Sequence, residues 1–304
     1  MNRLDPTQPR TPLTRREVLA MSLAGAGHLA ASRRGEGAPA PQPNRRGWGA
    51  QLYTVRDLIA RDPAATVAAV AAMGYTEVEI IQPTLPVVGP LAQKHGLSIV
   101  SAHLDGPTSK GEGLGAFLTE AKAFGLRYIV VPYVPPNERP TDRAGFERIA
   151  DRLNRMADEV ARAGMQLCYH NHAFEFGRDA TGTRFLDTLM RASHAPQVQL
   201  EVDVFWVAVT GADPVEVLRQ FAGRVALVHL KDKAADAPAV LRESEVAAAT
   251  FRDVGAGSID FRAVLAAAHA SGAEHFFVEH DHPPGDALDS LKNSYRYLVG
   301  LERP

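Results

Sequence analysis

The sequence predicts a (β/α)8 TIM barrel of the α/β class, and three observations lead there. From Trp48 onward, short apolar runs alternate with longer helical patterns about eight times, with no low-complexity linker between them. The span of about 255 residues is the size of such a barrel. Polar and metal-binding side chains recur where successive apolar runs end, which is where a barrel gathers its function.

The predicted strands are Ala50 to Val55, Glu77 to Ile81, Ser98 to His103, Tyr128 to Val131, Gln166 to His170, Val198 to Asp203, Val225 to Leu230 and Phe276 to Glu279. Most are continuously apolar, as parallel strands covered by helices must be. Asp62-Pro63 and Asp213-Pro214 each set a capping carboxylate before a proline at the first helical position. Phe146 to Ala163 and Phe261 to Ala270 carry helical patterns, and Gly74, Gly96, Gly125, Gly164 and Gly272 stand between such a pattern and the next strand, where a helix ends left-handed. A doubly wound sheet is the competing fold, but Gln51 to Asp57 lacks the glycine-rich nucleotide turn. Gly255-Ala256-Gly257 reads as a turn into a capped helix.

The chain has 304 residues, 45% hydrophobic and 22% charged, with 33 Lys+Arg against 35 Asp+Glu. That is an ordinary globular composition without the basic excess a nucleic-acid backbone selects, so no nucleic-acid partner is expected. The single cysteine, Cys168, lies in an apolar strand and reads as a buried, inert thiol. Residues 1–45 are set apart from the barrel at 46–304. Thr14-Arg15-Arg16 followed by Val18 to Met21 and an Ala/Gly/Leu stretch reads as a twin-arginine export signal, too short to serve as a stable membrane anchor, and implies a periplasmic or secreted protein.

The chemistry gathers in LCYHNH (Leu167 to His172), LEVD (Leu200 to Asp203), LVHLKD (Leu227 to Asp232) and FFVEHD (Phe276 to Asp281). Imidazoles and carboxylates at the ends of successive buried strands are costly without a partner, and a shared divalent cation supplies one. Gln51, Tyr53, Glu79 and His103 stand at the ends of the first three strands and face the same mouth.

With the segments GAQLYTVRD (Gly49 to Asp57), CYHNHAFEF (Cys168 to Phe176), LEVDVFWV (Leu200 to Val207) and VGAGSIDF (Val254 to Phe261), the chain resembles the sugar phosphate isomerase/epimerase family with the xylose isomerase-like barrel. The resemblance implies one divalent cation, manganese first and cobalt, zinc or magnesium otherwise, held at the ends of strands five to eight. Asp203, His229 and Glu279 match three ligand positions. Where much of the family has glutamate, this chain has His170, or His172 if the strand slips by two, in a Tyr-His-Asn-His form that looks like a secreted subgroup.

The resemblance further implies a keto sugar or 3-keto-glycoside as substrate, with proton abstraction beside a polarised carbonyl leading to isomerisation, epimerisation or elimination. Replacement of a glutamate by histidine shifts the expectation toward a one-base reaction. Glu279, Glu175, Lys231 and His103 are the catalytic candidates, with Lys231 able instead to pair with Asp232. Gln51, Tyr53, Glu79, His172 and Trp206 are the substrate-binding candidates. The family likeness also implies a homo-oligomer. A non-catalytic periplasmic sugar-binding barrel and a metal-dependent DNA repair nuclease are the competing functions.

Overall fold

The computed structural model describes residues 47–302, so the twin-arginine segment lies outside the described residues. Eight parallel strands close into a barrel: β1 (Gly49–Gln51), β2 (Glu77–Ile81), β3 (Ser98–His103), β4 (Tyr128–Val131), β5 (Gln166–His170), β6 (Val198–Asp203), β7 (Val225–Leu230) and β8 (His275–Val278), with β8 pairing β1. Six of the eight have the boundaries expected from sequence. The first is shorter: the Gln51 side chain accepts the Tyr53 N–H, and Leu52–Val55 turns into a 3-10 segment rather than continuing as strand. Glu279 lies one residue past β8.

The connecting helices that matter here are α1 (Pro63–Ala72), α2 (Arg143–Arg162), α3 (Val204–Ala208), α4 (Pro214–Gln220) and α5 (Phe261–Ser271). Asp62 and Asp213 cap α1 and α4 through the Ala65 and Val215 amides. Phe146, Ile149, Ala150, Leu153, Ala157 and Val160 form the buried stripe of α2, at helical spacing. The five glycines expected at helix ends all have positive φ, which a Cβ would strain.

Three layers fill the barrel interior. At its amino-terminal end His275 pairs through Nδ1 with Glu77 Oε2 at 2.7 Å and meets the Arg127 guanidinium through Nε2. Above this is a small apolar cluster of Val100, Tyr128, Val130, Cys168, Ala226, Leu227 and Phe277. Cys168 is wholly buried, which pushes its thiol well above the usual range and leaves it inert. The third layer, at the carboxyl ends of the strands, is polar. Among the described residues no helix is long and apolar enough to cross a membrane.

Candidate metal centre

Register brings the polar side chains of neighbouring strands level with one another. Gln51 is paired with Glu79, His170 with Glu201, Asp203 with His229, and His229 with Phe277, two residues before Glu279. Because side chains alternate along a strand, Glu201 and Asp203 point to the same face of β6. The result is two stacked groups of donor atoms.

The upper group is Asp203, His229 and Glu279, whose donor atoms lie within 4.8 Å of one another. His229 Nδ1 is 2.7 Å from Glu279 Oε2. Asp203 Oδ1 accepts the amides of Phe205 and Trp206 at 2.9 and 3.0 Å, capping α3 and fixing the carboxylate. That leaves Oδ2, which faces Lys231 Nζ at 3.0 Å yet receives no hydrogen bond. Lys231 also meets Glu279 Oε2 at 2.7 Å and Asp281 Oδ1 at 2.8 Å.

Lys231 therefore does not pair with its neighbour Asp232. The two side chains leave the strand on opposite sides, and Asp232 accepts the amides of Gly255, Gly257 and Ile259, holding the turn before α5. Gly257 is required there, since a Cβ would lie 2.4 Å from the Asp232 carboxylate.

The lower group is His103, His170, Glu201 and His229. Glu201 Oε2 is 2.7 Å from His103 Nε2, 3.0 Å from His170 Nδ1 and 3.3 Å from His229 Nε2. Glu79 Oε1 joins it, 2.6 Å from His229 Nε2, 2.9 Å from His103 Nε2, and accepting Gln51 Nε2 at 2.7 Å. Glu79 and Glu201 are fully buried, and each keeps one oxygen, Glu79 Oε2 and Glu201 Oε1, with no partner.

The electrostatics follow from this crowding. Burial alone would raise Glu79, but His103 and His229 outweigh it and hold the carboxyl well below its usual range. Burial opposes charge on His103, yet Glu79 and Glu201 raise it to about 9. Asp203 is pushed up to about 6, chiefly by burial. Burial keeps His170 and His172 neutral, with nearby cations adding to the effect.

Stranded carboxylate oxygens next to imidazole nitrogens fit a divalent cation. Asp203, His229 and Glu279 would hold it, with His170 Nε2 at 3.7 Å from Asp203 Oδ2 as the adjoining donor. His170, and not His172, is the histidine of the Tyr-His-Asn-His segment that reaches the donor groups.

Above the metal group opens a cavity of about 530 Å³, walled by Tyr53, Tyr133, His172, Trp206 and Phe251 and floored by His103, His170, Lys231 and Glu279. The His172 ring packs 5.2 Å from Trp206 and 5.1 Å from Tyr133. Tyr53 stands at the rim under the Arg56 guanidinium. Three expected residues do not reach this wall. Gln51 and Glu79 lie beneath the floor, bonded to each other, and Glu175 lies behind it. The Glu175 carboxyl accepts the His172 amide at 2.9 Å and meets the Tyr169 hydroxyl at 2.7 Å, and burial raises it to about 8. It positions His172 and does not face a ligand.

Sequence reasoning overlooked Glu201, Tyr133 and Phe251. Strand alternation signalled the first, since Asp203 cannot face inward without Glu201. Tyr133 sits on a loop and Phe251 on a two-residue strand paired with Asp232–Lys233, and the approach of both to the mouth is a long-range matter.

A closed (β/α)8 barrel with carboxylates and imidazoles converging at its carboxyl mouth defines a class of metal-site barrel. The chain belongs to the xylose isomerase-like TIM barrel family, whose model matches residues 67–298. Inosose dehydratase of Geobacillus thermodenitrificans (strain NG80-2) is 33% identical over 161 residues, 51% of each chain. That of Lacticaseibacillus casei is 30% identical over 165 residues, 52% of this chain and 53% of its own. This chain thus spans about half the length of the curated relatives it matches.

Among solved structures, a sugar phosphate isomerase/epimerase from Parabacteroides distasonis ATCC 8503 superposes with a TM-score of 0.68 at 21% identity, over 88% of this chain and 99% of that one. The IOLI protein with a bound zinc atom superposes with a TM-score of 0.63 at 17% identity, over 84% and 98%. At these identities the likeness is one of fold.

Proposed function

We propose that this protein is a divalent-metal-dependent enzyme that removes a proton beside the carbonyl of a keto sugar or keto cyclitol, with loss of a β-substituent as the leading outcome. The convergence of Asp203, His229 and Glu279 under a cavity floored by Lys231 carries the reading. The inosose dehydratase relatives support elimination over isomerisation or epimerisation, and they do not favour a binding-only barrel or a nuclease. A cation at this site would polarise the substrate carbonyl.

The chain's own groups supply the rest. Lys231, held as an ammonium by Asp203, Asp281 and Glu279 against the pull of burial, stabilises negative charge growing on the substrate oxygen. His172, kept neutral by burial on the cavity wall, takes the proton as the C–H bond breaks. The electron pair forms the new C=C bond as the β-oxygen leaves, and His172 returns the proton to it, giving water or an alcohol. Trp206, Tyr133 and Phe251 shield this exchange from solvent.

Carboxylate-rich donors favour manganese. The twin-arginine segment, Arg15 and Arg16, supports export to the periplasm, which a reporter fusion carrying Arg15→Lys and Arg16→Lys would test.

Proton NMR in heavy water with inosose and with 3-keto-glucosides tests the reaction. We expect solvent exchange at one carbon and an unsaturated ketone as product. His172→Gln should lower turnover by about 10²–10⁴-fold with metal content unchanged. Neither exchange nor product with any of these ketones would sink the proposal.

A further inference from the structure

The upper group does not use all of the ligand chemistry in the mouth. We propose that the lower group is a second divalent-cation site, built from His103, His170, Glu201 and Glu79, so that the mouth holds two ions. Its ligands come from β2, β3, β5 and β6, whereas the first site draws on Asp203, His229 and Glu279 at the ends of β6, β7 and β8. The two sets meet at His170 and His229 but use different atoms of each: His170 turns Nδ1 to Glu201 and Nε2 to Asp203, and His229 turns Nδ1 to Glu279 and Nε2 to the lower group. Glu201 and Asp203 are one strand repeat apart, about 6–7 Å along the chain, so the sets stack without competing for the same space.

Geometry supports the assignment. Four donors around a first-row cation at bond lengths of 2.0–2.1 Å lie about 3.3 Å from one another. Glu201 Oε2 is already 2.7 Å from His103 Nε2 and 3.0 Å from His170 Nδ1, so a small outward relaxation opens a coordination sphere. An independent observation is that Glu79 Oε2 and Glu201 Oε1 are buried and unpartnered, although both carboxylates sit against imidazoles. Hydrogen bonding within the cluster leaves both oxygens stranded, and ligation gives them a partner.

The surroundings fit as well. His229 turns Nδ1 toward the upper group and Nε2 toward Glu79 at 2.6 Å, the arrangement by which a metal-bound histidine is steadied through its other nitrogen. Gln51 orients Glu79 through Oε1 at 2.7 Å and leaves Oε2 free. Two imidazoles and two carboxylates make a donor set richer in nitrogen than the upper one. The lower site is therefore matched to zinc or cobalt, and the upper to manganese or magnesium.

Metal counting on the full-length protein tests this without reference to turnover. The protein is stripped with a chelator, reloaded with zinc or cobalt, desalted and analysed for metal per chain. Two equivalents are expected in the wild type, with one remaining in Glu201→Gln and one remaining in Asp203→Asn. The absorption spectra of the two cobalt-loaded variants should differ, because each retains a different site. His103→Gln, at the cavity edge, serves as a second lower-site variant should Glu201→Gln not fold.

One equivalent in the wild type, lost in Asp203→Asn and kept in Glu201→Gln and His103→Gln, overturns the second site and leaves the proposed function standing. No bound metal in the wild type overturns both.

Discussion

Replacing Lys231 by methionine would remove the one ammonium that faces Asp203, Glu279 and Asp281 at 3.0, 2.7 and 2.8 Å. The lysine is buried, with 2% of its surface exposed, and so are Asp203 and Glu279 beside it. Breaking a buried ion pair from one side costs about 3–5 kcal/mol, because the surviving charge stays desolvated. For a barrel of this size each kcal/mol shifts Tm by roughly 2–4 °C, so metal-free Lys231→Met should melt about 6–20 °C below the wild type. The deficit should shrink as pH falls, because Asp203, already raised to about 6 beside the Lys231 ammonium that lowers it, takes up a proton more readily once that ammonium is gone and ceases to need a counter-charge. Added manganese should also narrow it, since a cation between Asp203 and Glu279 replaces the missing charge. The assay is thermal unfolding by circular dichroism in chelator and in manganese, at about pH 8 and about pH 5.5. Melting within about 2 °C of the wild type in chelator at the higher pH would refute the view that these carboxylates depend on Lys231.

Further outcomes follow from the same geometry. Asp203→Asn keeps the cap on α3 through its amide oxygen and loses the anionic ligand, so cation affinity should fall by more than about 100-fold, read by isothermal titration, with little change in melting of the metal-free protein. Glu175 is raised by burial from 4.5 to about 8, so the stability its neutral form provides is present below about 4.5 and is lost as pH rises through about 8. Glu175→Gln should remove that decline, worth on the order of 5 kcal/mol at most, from the pH dependence of urea unfolding. Asp232→Ala should lose four amide hydrogen bonds and destabilise by about 2–4 kcal/mol while leaving metal content alone, as measured by urea midpoint and metal analysis.

The barrel was readable because parallel strands buried on both faces must be apolar, and because glycines at 74, 96, 125, 164 and 272 closed each preceding helix. The first strand misled for a local reason: Tyr53 and Val55 suit a strand, but Gln51 ends it by accepting the Tyr53 amide through its own side chain. The donor residues were readable from their strand-end positions, whereas their grouping was not. Nothing in the spacing of Glu79 says that it sinks beneath His229, 2.6 Å from its Nε2, instead of facing the cavity. That depends on barrel stagger, which no local pattern encodes. Glu175 was misplaced for a similar reason, since three residues of 3-10 turn, Phe174–Phe176, swing it behind the wall toward Tyr169.

The two polar ends of the barrel interior separate what the fold needs from what the site needs. At the amino-terminal end Glu77, His275 and Arg127 satisfy one another, and no atom of Glu77 or His275 is buried without a partner among the described residues. Such a pair can serve structure alone. At the carboxyl end the same kinds of side chain are packed more densely, and Glu79 Oε2 and Glu201 Oε1 are left without a partner, while Asp203 Oδ2 has only the Lys231 ammonium, without a hydrogen bond. Apolar residues of similar volume would stabilise that layer, because desolvating several carboxylates costs more than their mutual contacts return. A chain that already builds a dry apolar layer from Val100, Val130, Leu227 and Phe277 just below has no structural need for the polar one. The proposed cation gives the stranded oxygens a positively charged partner, and they lie at the carboxyl end of the barrel, beneath the floor of the cavity proposed to take the substrate.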